Sequence, residues 1–279
     1  MGRPKSLIDR DLLERLYLSE KMSPKQIAIH FGCNRQTIIN HLRLHEIRVR
    51  TKGEGTALSK IVHRRADFSG NQVEKAYLVG FRIGDLTVDM ANPGGQTIRA
   101  SCASTRPEQI ELIKNLFEQY GGIILNGPYK NNRVFIQCML NMTFDFLLPK
   151  TDNIPGWIME KDETFCAFLG GYVDAEAHIG ISGNKASFRL ATADSNILAI
   201  IHKRLLQFRI ECPEPYVWLK SGYVNKNNIT SRKDIWRLGV YSAKSLKLLL
   251  KTLLPFLRHR KRQKDAETVL NYLASVKLS

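Results

Sequence analysis

Acidic residues are scarce in this 279-residue chain: 26 Asp and Glu stand against 42 Lys and Arg, giving a formal net charge of +16 and a pI near 9.7. That balance argues against an acidic ligand-repelling surface and favours a polyanionic partner, nucleic acid first among them. Cysteine is sparse and unpatterned. The five thiols, Cys33, Cys102, Cys138, Cys166 and Cys212, are odd in number and contain no C-x-x-C pair. This speaks against a disulfide framework or structural zinc and for a reducing, cytoplasmic setting. Long apolar runs are also missing. No signal peptide opens the sequence, and no stretch approaches the ~20 apolar residues of a membrane span, so no membrane partner is expected. Leu246 to Leu257 comes nearest, but Lys247, Lys251 and Pro255 interrupt it. It reads as an amphipathic core helix.

What the chain does have is glycine in unusual places. The stretches Tyr77-Leu78-Val79-Gly80-Phe81-Arg82-Ile83-Gly84-Asp85-Leu86 and Phe168-Leu169-Gly170-Gly171-Tyr172-Val173-Asp174-Ala175-Glu176-Ala177 both read as apolar helices. Each carries small residues four apart, Gly80 with Gly84 and Gly171 with Ala175. Glycine inside a helix costs ~1 kcal/mol against alanine, so it needs a packing reason. Small residues at this spacing leave one smooth helix face, against which a second such helix can pack at short range. Each stretch ends in an acid, Asp85 or Glu176, and the two lie 91 positions apart. If the faces meet, both carboxylates emerge at helix C-termini, where the dipole is negative and each repels the other. A divalent cation relieves both conflicts, and Mg2+ is typically held by one or two carboxylates together with phosphate oxygens. The pattern predicts a paired-carboxylate metal site, Asp85 with Glu176, on a pseudo-twofold axis.

At these residues the chain resembles the LAGLIDADG homing endonucleases in their two-motif, single-chain form. In that family the eighth motif position supplies the catalytic acid of each helix, which here falls on Asp85 and Glu176. The first copy departs from the motif at Ile83 (sixth position) and Leu86 (ninth), and the second at Ala177 (ninth). The resemblance runs from about Glu74 to the C-terminus. It implies Mg2+-dependent phosphodiester hydrolysis of double-stranded DNA at a long, nearly palindromic target. One strand would be cut per carboxylate, by a monomer with internal pseudo-twofold symmetry. It also implies a basic residue near the cleavage site just after a Pro-Phe-Leu segment. Pro255-Phe256-Leu257 is followed here by Arg258-His259-Arg260-Lys261-Arg262-Gln263-Lys264, and Arg260 matches that position. His178 is read as a strand-edge or DNA-contact residue before a metal ligand. The ends carry no splice-junction residues, so a free-standing protein is expected. Two alternatives use the same features: a non-catalytic transcription regulator that retains the fold, and an RNA maturase.

Ahead of the repeats, Gly2-Arg3-Pro4-Lys5 is a short basic arm and Leu7 to Leu18 has helical periodicity. Ser23-Pro24 offers an N-cap with Pro at the first helical position, starting a helix to Phe31. Gly32 suits the turn, and Asn34 caps a third helix running to about Leu44. Ala28, Gly32 and Ile38 stand at helix-turn-helix spacing, and the segment resembles that of bacterial regulators and resolvases. This places Arg35, Gln36, Asn40 and Arg43 in a DNA major groove. Residues 1–50 are read as that domain and 51–73 as a basic linker, helical around Ala57 to Ala66. Residues 74–150 and 151–279 form the two repeat halves.

The fold class is α+β: two pseudo-symmetric αββαββα halves preceded by a small all-α domain, with an extra helix from Gln263 to Ser275. Hairpins are predicted at Asn92-Pro93-Gly94-Gly95 and Gly183-Asn184. Two antiparallel sheets then form a saddle for a DNA groove. Its expected contacts are Arg99, Ser101, Lys185, Ser187, Arg189 and Lys220.

Overall fold

The computed structural model describes residues 8–59, 65–224 and 230–276. Contacts divide the chain into two units, Met1–Arg64 with Met90–Thr97, and Arg65–Asp89 with Ile98–Ser279.

In the first unit, α1 (Arg10–Glu14) is capped by Asp9, whose carboxylate accepts from the Leu12 amide at 2.9 Å, and it runs on as a π-helical turn, Arg15–Ser19. The basic arm and Leu7 lie outside the described residues. α2 (Pro24–His30) opens with a capping box: the Gln26 amide donates to the Ser23 hydroxyl at 3.2 Å, and the Ser23 amide donates back to Gln26 at 2.9 Å. Gly32 takes the left-handed turn at φ +61°, and Asn34 caps α3 (Arg35–Leu44). Leu13, Tyr17, Ile27, Ala28, Ile38 and Leu42 form the core between these helices. α4 (Lys52–Ser59) starts earlier than the expected linker helix. Its start is set by a second box that the sequence contained, Thr51 with Glu54: the Thr51 amide donates to Glu54 at 2.6 Å and the Glu54 amide to Thr51 at 3.3 Å.

The second unit begins inside the expected linker. Phe68 packs on Tyr120, Phe144 and Phe146 with ring centroids 5.3–5.8 Å apart, so this end of the linker is core. The first half then runs α5 (Gln72–Gly84), β1 (Thr87–Met90), β2 (Ile98–Ser104), α6 (Pro107–Phe117), β3 (Gly122–Asn126) and β4 (Val134–Leu140). Its last expected helix is a 3-10 segment, Met142–Leu147, cut short ahead of Pro149. A connection with one helical turn, α7 (Gly156–Met159), leads to the second half. That half comprises α8 (Asp162–Glu176), β5 (Ala177–Ser182), β6 (Lys185–Thr192), α9 (Ser195–Gln207), β7 (Tyr216–Leu219), β8 (Ile235–Val240) and α10 (Ala243–Leu253). The two four-stranded antiparallel sheets have the same order, β1-β2-β4-β3 and β5-β6-β8-β7. Strand parity separates their faces: in β6, Ala186, Phe188, Leu190 and Thr192 are buried, while Lys185, Ser187, Arg189 and Ala191 take the more open side.

The final helix, α11 (Arg260–Ser275), begins three residues before the expected Gln263. His259 is its N-cap, its imidazole accepting from the Lys261 amide at 3.2 Å, so the basic cluster forms the first helical turn.

α5 and α8 pack backbone to backbone, and the glycines are the reason. A Cβ on Gly80 would run into the carbonyl oxygen of Phe168, and one on Gly171 into that of Tyr77. These reciprocal contacts relate residues 91 positions apart in both directions, as a pseudo-twofold axis requires. Flanking each glycine is a parallel-stacked aromatic pair, Tyr77–Phe81 at 6.2 Å and Phe168–Tyr172 at 6.1 Å.

Candidate active site and nucleic-acid interface

The helix pairing delivers the two acids together. Asp85 is the C-cap of α5 and Glu176 the last residue of α8. A Cβ on Gly84 would touch that of Ala175 and lie 3.0 Å from Cγ of Glu176, so the second carboxylate sits directly against the turn that carries the first. Electrostatics report the same proximity. Burial pushes the Glu176 carboxyl up to about 7, and the charges of Asp85 and Asp194 add to the rise. Burial also raises Asp85, against a hydrogen bond from Gln109 Nε2 at 2.6 Å and the positive charges of Arg262, Arg106 and Lys150. Two carboxylates held uncomfortably at helix C-termini, facing basic groups, suit a hard cation.

Two further acids stand beside the pair. Asp174, 1% exposed, lies two residues before the end of α8. Its Oδ2 accepts from the Tyr77 hydroxyl (2.7 Å) and from the amides of Arg258 (2.7 Å) and His259 (3.0 Å). Its Oδ1 is buried without a hydrogen-bond donor, and burial pushes the carboxyl up to about 6. Asp194 accepts from Tyr172 (3.1 Å) and Thr192 (3.0 Å). A cavity of about 200 Å3 opens on the first-half side, lined by Asp85, Asp174, Gln109, Arg106, Cys102 and Ser104 among others. Among the described residues no three His, Cys, Asp or Glu side chains converge closely enough to hold a metal by themselves. Asp85 and Glu176 fit an ion that keeps waters or takes phosphate oxygens, which is the habit of Mg2+.

The basic cluster is divided between an outward and an inward side chain. Arg260 leaves the cluster outward: its side chain is 74% exposed and pairs with Glu111 at 3.3 Å. Arg262, 9% exposed, is the residue whose charge bears on Asp85, Glu176 and Asp174, and its Nε is buried without an acceptor. The helical start at Arg260 explains the opposite placements, because two further residues turn the side chain by about 200° around the helix. Nothing in the sequence marked Gln109, Arg106, Lys150 or Asp194, which come from other elements. Asp174 was visible only as a motif position.

On the sheets, Arg99 is tied to Asp89 by two bonds of 3.0 and 2.7 Å. Ser101 is buried, donating to the Thr87 carbonyl at 3.3 Å, so the edge strand β1 takes a hydroxyl that strand parity alone places on the open side. In the second half Lys185 and Lys220 are exposed and Ser187 and Arg189 half-buried. Arg189 lies 3.2 Å from the His178 ring, which burial and the charges of Arg189 and Arg262 hold below its ordinary value. Arg237 stacks 3.6 Å over Trp218, and the Tyr241 ring covers Gly239, where any side chain would displace it. A cavity of about 470 Å3 flanks this face, bordered by Lys185, Ser187, Arg189 and Tyr241 and by Tyr272 of α11. In the first unit Arg35, Gln36, Asn40 and Arg43 are all exposed on α3, with Gln36 donating to Asn40 at 3.1 Å. No described helix is long and apolar enough to cross a membrane.

No protein-family model matches the chain, and no curated protein matches it. Among solved structures it is similar to the homing endonuclease I-DmoI in complex with DNA and Ca, at 15% identity over 71% of this chain and 98% of that one, with a TM-score of 0.47. It is also similar to the LAGLIDADG homing endonuclease I-GzeII in complex with its DNA target, at 11% identity over 74% and 92%, TM-score 0.44. Full-length DUF199/WhiA from Thermatoga maritima is similar at 14% identity over 77% and 64%, TM-score 0.46.

Proposed function

We propose that this protein is a site-specific DNA endonuclease of the homing type, using a divalent cation, Mg2+ by preference, to hydrolyse one phosphodiester in each strand. The observation that carries the reading is the meeting of Asp85 and Glu176 across α5 and α8, two acids that a cation reconciles. When bound, the cation supplies charge neutralisation at the phosphate and lowers the pKa of a water.

The chain's own residues do the rest. Asp85 and Glu176 hold the ion from two sides, and Gln109 fixes the rotamer of Asp85 through its 2.6 Å bond. Arg262 and Lys150 place positive charge beside both carboxylates, where it can offset the charge that gathers on a phosphate under attack. Arg106 adds to this on the Asp85 side alone. The open sheet faces follow the duplex: Lys185, Ser187, Arg189, Arg237 and Lys220 in the second half, Arg99 in the first. The exposed α3 side chains Arg35, Gln36, Asn40 and Arg43 contact DNA separately and lengthen or tether the target. One chain carries both acids, so a monomer suffices.

A plasmid library carrying randomised and flanking genomic sequence tests the proposal. Linear product is expected with Mg2+, and bound but uncut DNA with Ca2+. A transcription regulator, the reading that the exposed α3 favours, would bind and never cut with Mg2+ or Mn2+. A maturase would prefer structured RNA to the duplex.

A further inference from the structure

The least explained atom near the site is Oδ1 of Asp174. Its residue is 1% exposed, and its other oxygen already takes three donors, from Tyr77, Arg258 and His259. That division is unusual for an acid with a purely structural task. A neutral Asn offers an oxygen to the same donors without the cost of a buried charge, and a buried acceptor left unmade is expensive. Among the described residues Oδ1 has no donor, and Asp174 lines the same 200 Å3 cavity as Asp85. The cavity is roomy enough for several waters, and its other polar walls are Gln109, Arg106 and Ser104. Gln109 is already engaged with Asp85.

We infer that Asp174 is a positioning residue of the cation site, its Oδ1 accepting a hydrogen bond from a water that hydrates the ion held by Asp85 and Glu176. The inference rests on the nuclease reading and deepens it. Mg2+ gives up its waters reluctantly, so a site with two protein carboxylates needs acceptors that orient the waters it keeps. Among the described residues no three acids converge to ligate one ion, and Asp174 faces the same cavity as Asp85, so a water rather than the ion is the partner assigned to Oδ1. The same side chain anchors the amides of Arg258 and His259 through Oδ2, at the start of the helix that carries Arg262. One carboxylate thereby registers the cation's hydration shell and the basic side chain to each other. The first half has no counterpart, since Ile83 occupies the matching position of α5.

Asp174→Asn tests this cleanly. The three donors keep the amide oxygen at the Oδ2 position, so the amino group takes the place of Oδ1 and presents a donor where the water needs an acceptor. Binding of Mn2+ to the full-length protein, read from the EPR signal of the free ion, is expected to weaken about tenfold in this variant with its melting temperature retained. Tyr77→Phe removes one donor from Oδ2, leaves Oδ1 alone, and is expected to leave Mn2+ binding unchanged. Asp85→Asn serves as the reference that loses the site. Equal Mn2+ affinity in the native protein and Asp174→Asn, with Asp85→Asn defective, overturns the inference and spares the nuclease reading. Equal weakening by Tyr77→Phe overturns it too, since a structural role alone would then account for the effect. No saturable Mn2+ site in the native protein overturns both. Should Asp174→Asn fail to fold, anomalous scattering from Mn2+-soaked crystals of the native protein decides: a water between the ion and Oδ1 supports the inference, and its absence overturns it.

Discussion

The two halves share a fold and a helix pairing but surround their acids differently. Asp85 has an amide donor in Gln109 and a positive neighbour in Arg106. Glu176 has Asp194 as a charged neighbour, which adds to the rise that burial and Asp85 give its carboxyl. The sheets diverge in the same sense. The open side of the first offers one arginine, already paired with Asp89, whereas the second presents Arg189, Arg237 and Lys185 among Tyr216, Trp218 and Tyr241. The halves thus share the element that must be symmetric, the glycine-faced contact, and differ in what surrounds it. Burial raises both carboxyls, but Gln109 and Arg106 counter the rise at Asp85 while Asp194 adds to it at Glu176.

Several substitutions break or sharpen that contrast. Arg262→Ala should slow cleavage by about a hundredfold, the scale of removing one preorganised charge from a reacting centre. Arg260→Ala, its exposed neighbour two residues away, should change the rate little. Equal losses in the two would return the basic role to the position the sequence favoured.

Stability without divalent ions should depend on pH through the second half. Glu176 binds its proton more tightly in the folded chain, at about 7 against 4.5 unfolded. Its contribution to stability is therefore present at low pH and lost as pH rises through about 7, a span worth at most ~3 kcal/mol. Asp174, pushed up to about 6, acts in the same direction. Melting temperature should fall from about pH 5 to 8, and Glu176→Gln should melt higher than the native protein at the alkaline end. A Glu176→Gln variant with the native pH profile would show that this carboxyl is well solvated.

Gly80→Ala and Gly171→Ala should each cost about 1–3 kcal/mol or more in a denaturant titration, because their Cβ meets backbone that cannot move aside. Gly156→Ala, with open space around it, should be neutral or mildly stabilising by a few tenths of a kcal/mol. The smallest effect belongs to the sheets. Arg189→Ala should weaken DNA binding by several-fold and reduce the slope of affinity against salt by about one, whereas Arg99→Ala should do less because Asp89 already neutralises it.

The helix pairing was readable because glycine inside an apolar helix is costly unless a second backbone comes close, and the acids came with it. Hairpins were readable from Asn92-Pro93-Gly94-Gly95 and Gly183-Asn184, where few other residue types suit the turn. The start of α11 was not, because His259 as a capping residue competes with the general expectation that a run of basic side chains disfavours a helix N-terminus. That three-residue difference turns Arg260 outward and brings the charge of Arg262 to bear on the acids. Ser101 shared the parity of Arg99, yet the carbonyl of Thr87 on the neighbouring strand claims it. Gln109, Arg106, Lys150 and Asp194 reach the site only through tertiary packing, and Asp174 meets its partners 84 and 85 residues further along the chain.

The most direct test is strand-resolved cleavage of one end-labelled target duplex by the native protein, Asp85→Asn and Glu176→Gln, each with Mg2+. The account predicts that the native protein cuts both strands and that either variant yields no double-strand break while binding the duplex with nearly native affinity. A variant that still cuts both strands at the native rate would contradict it.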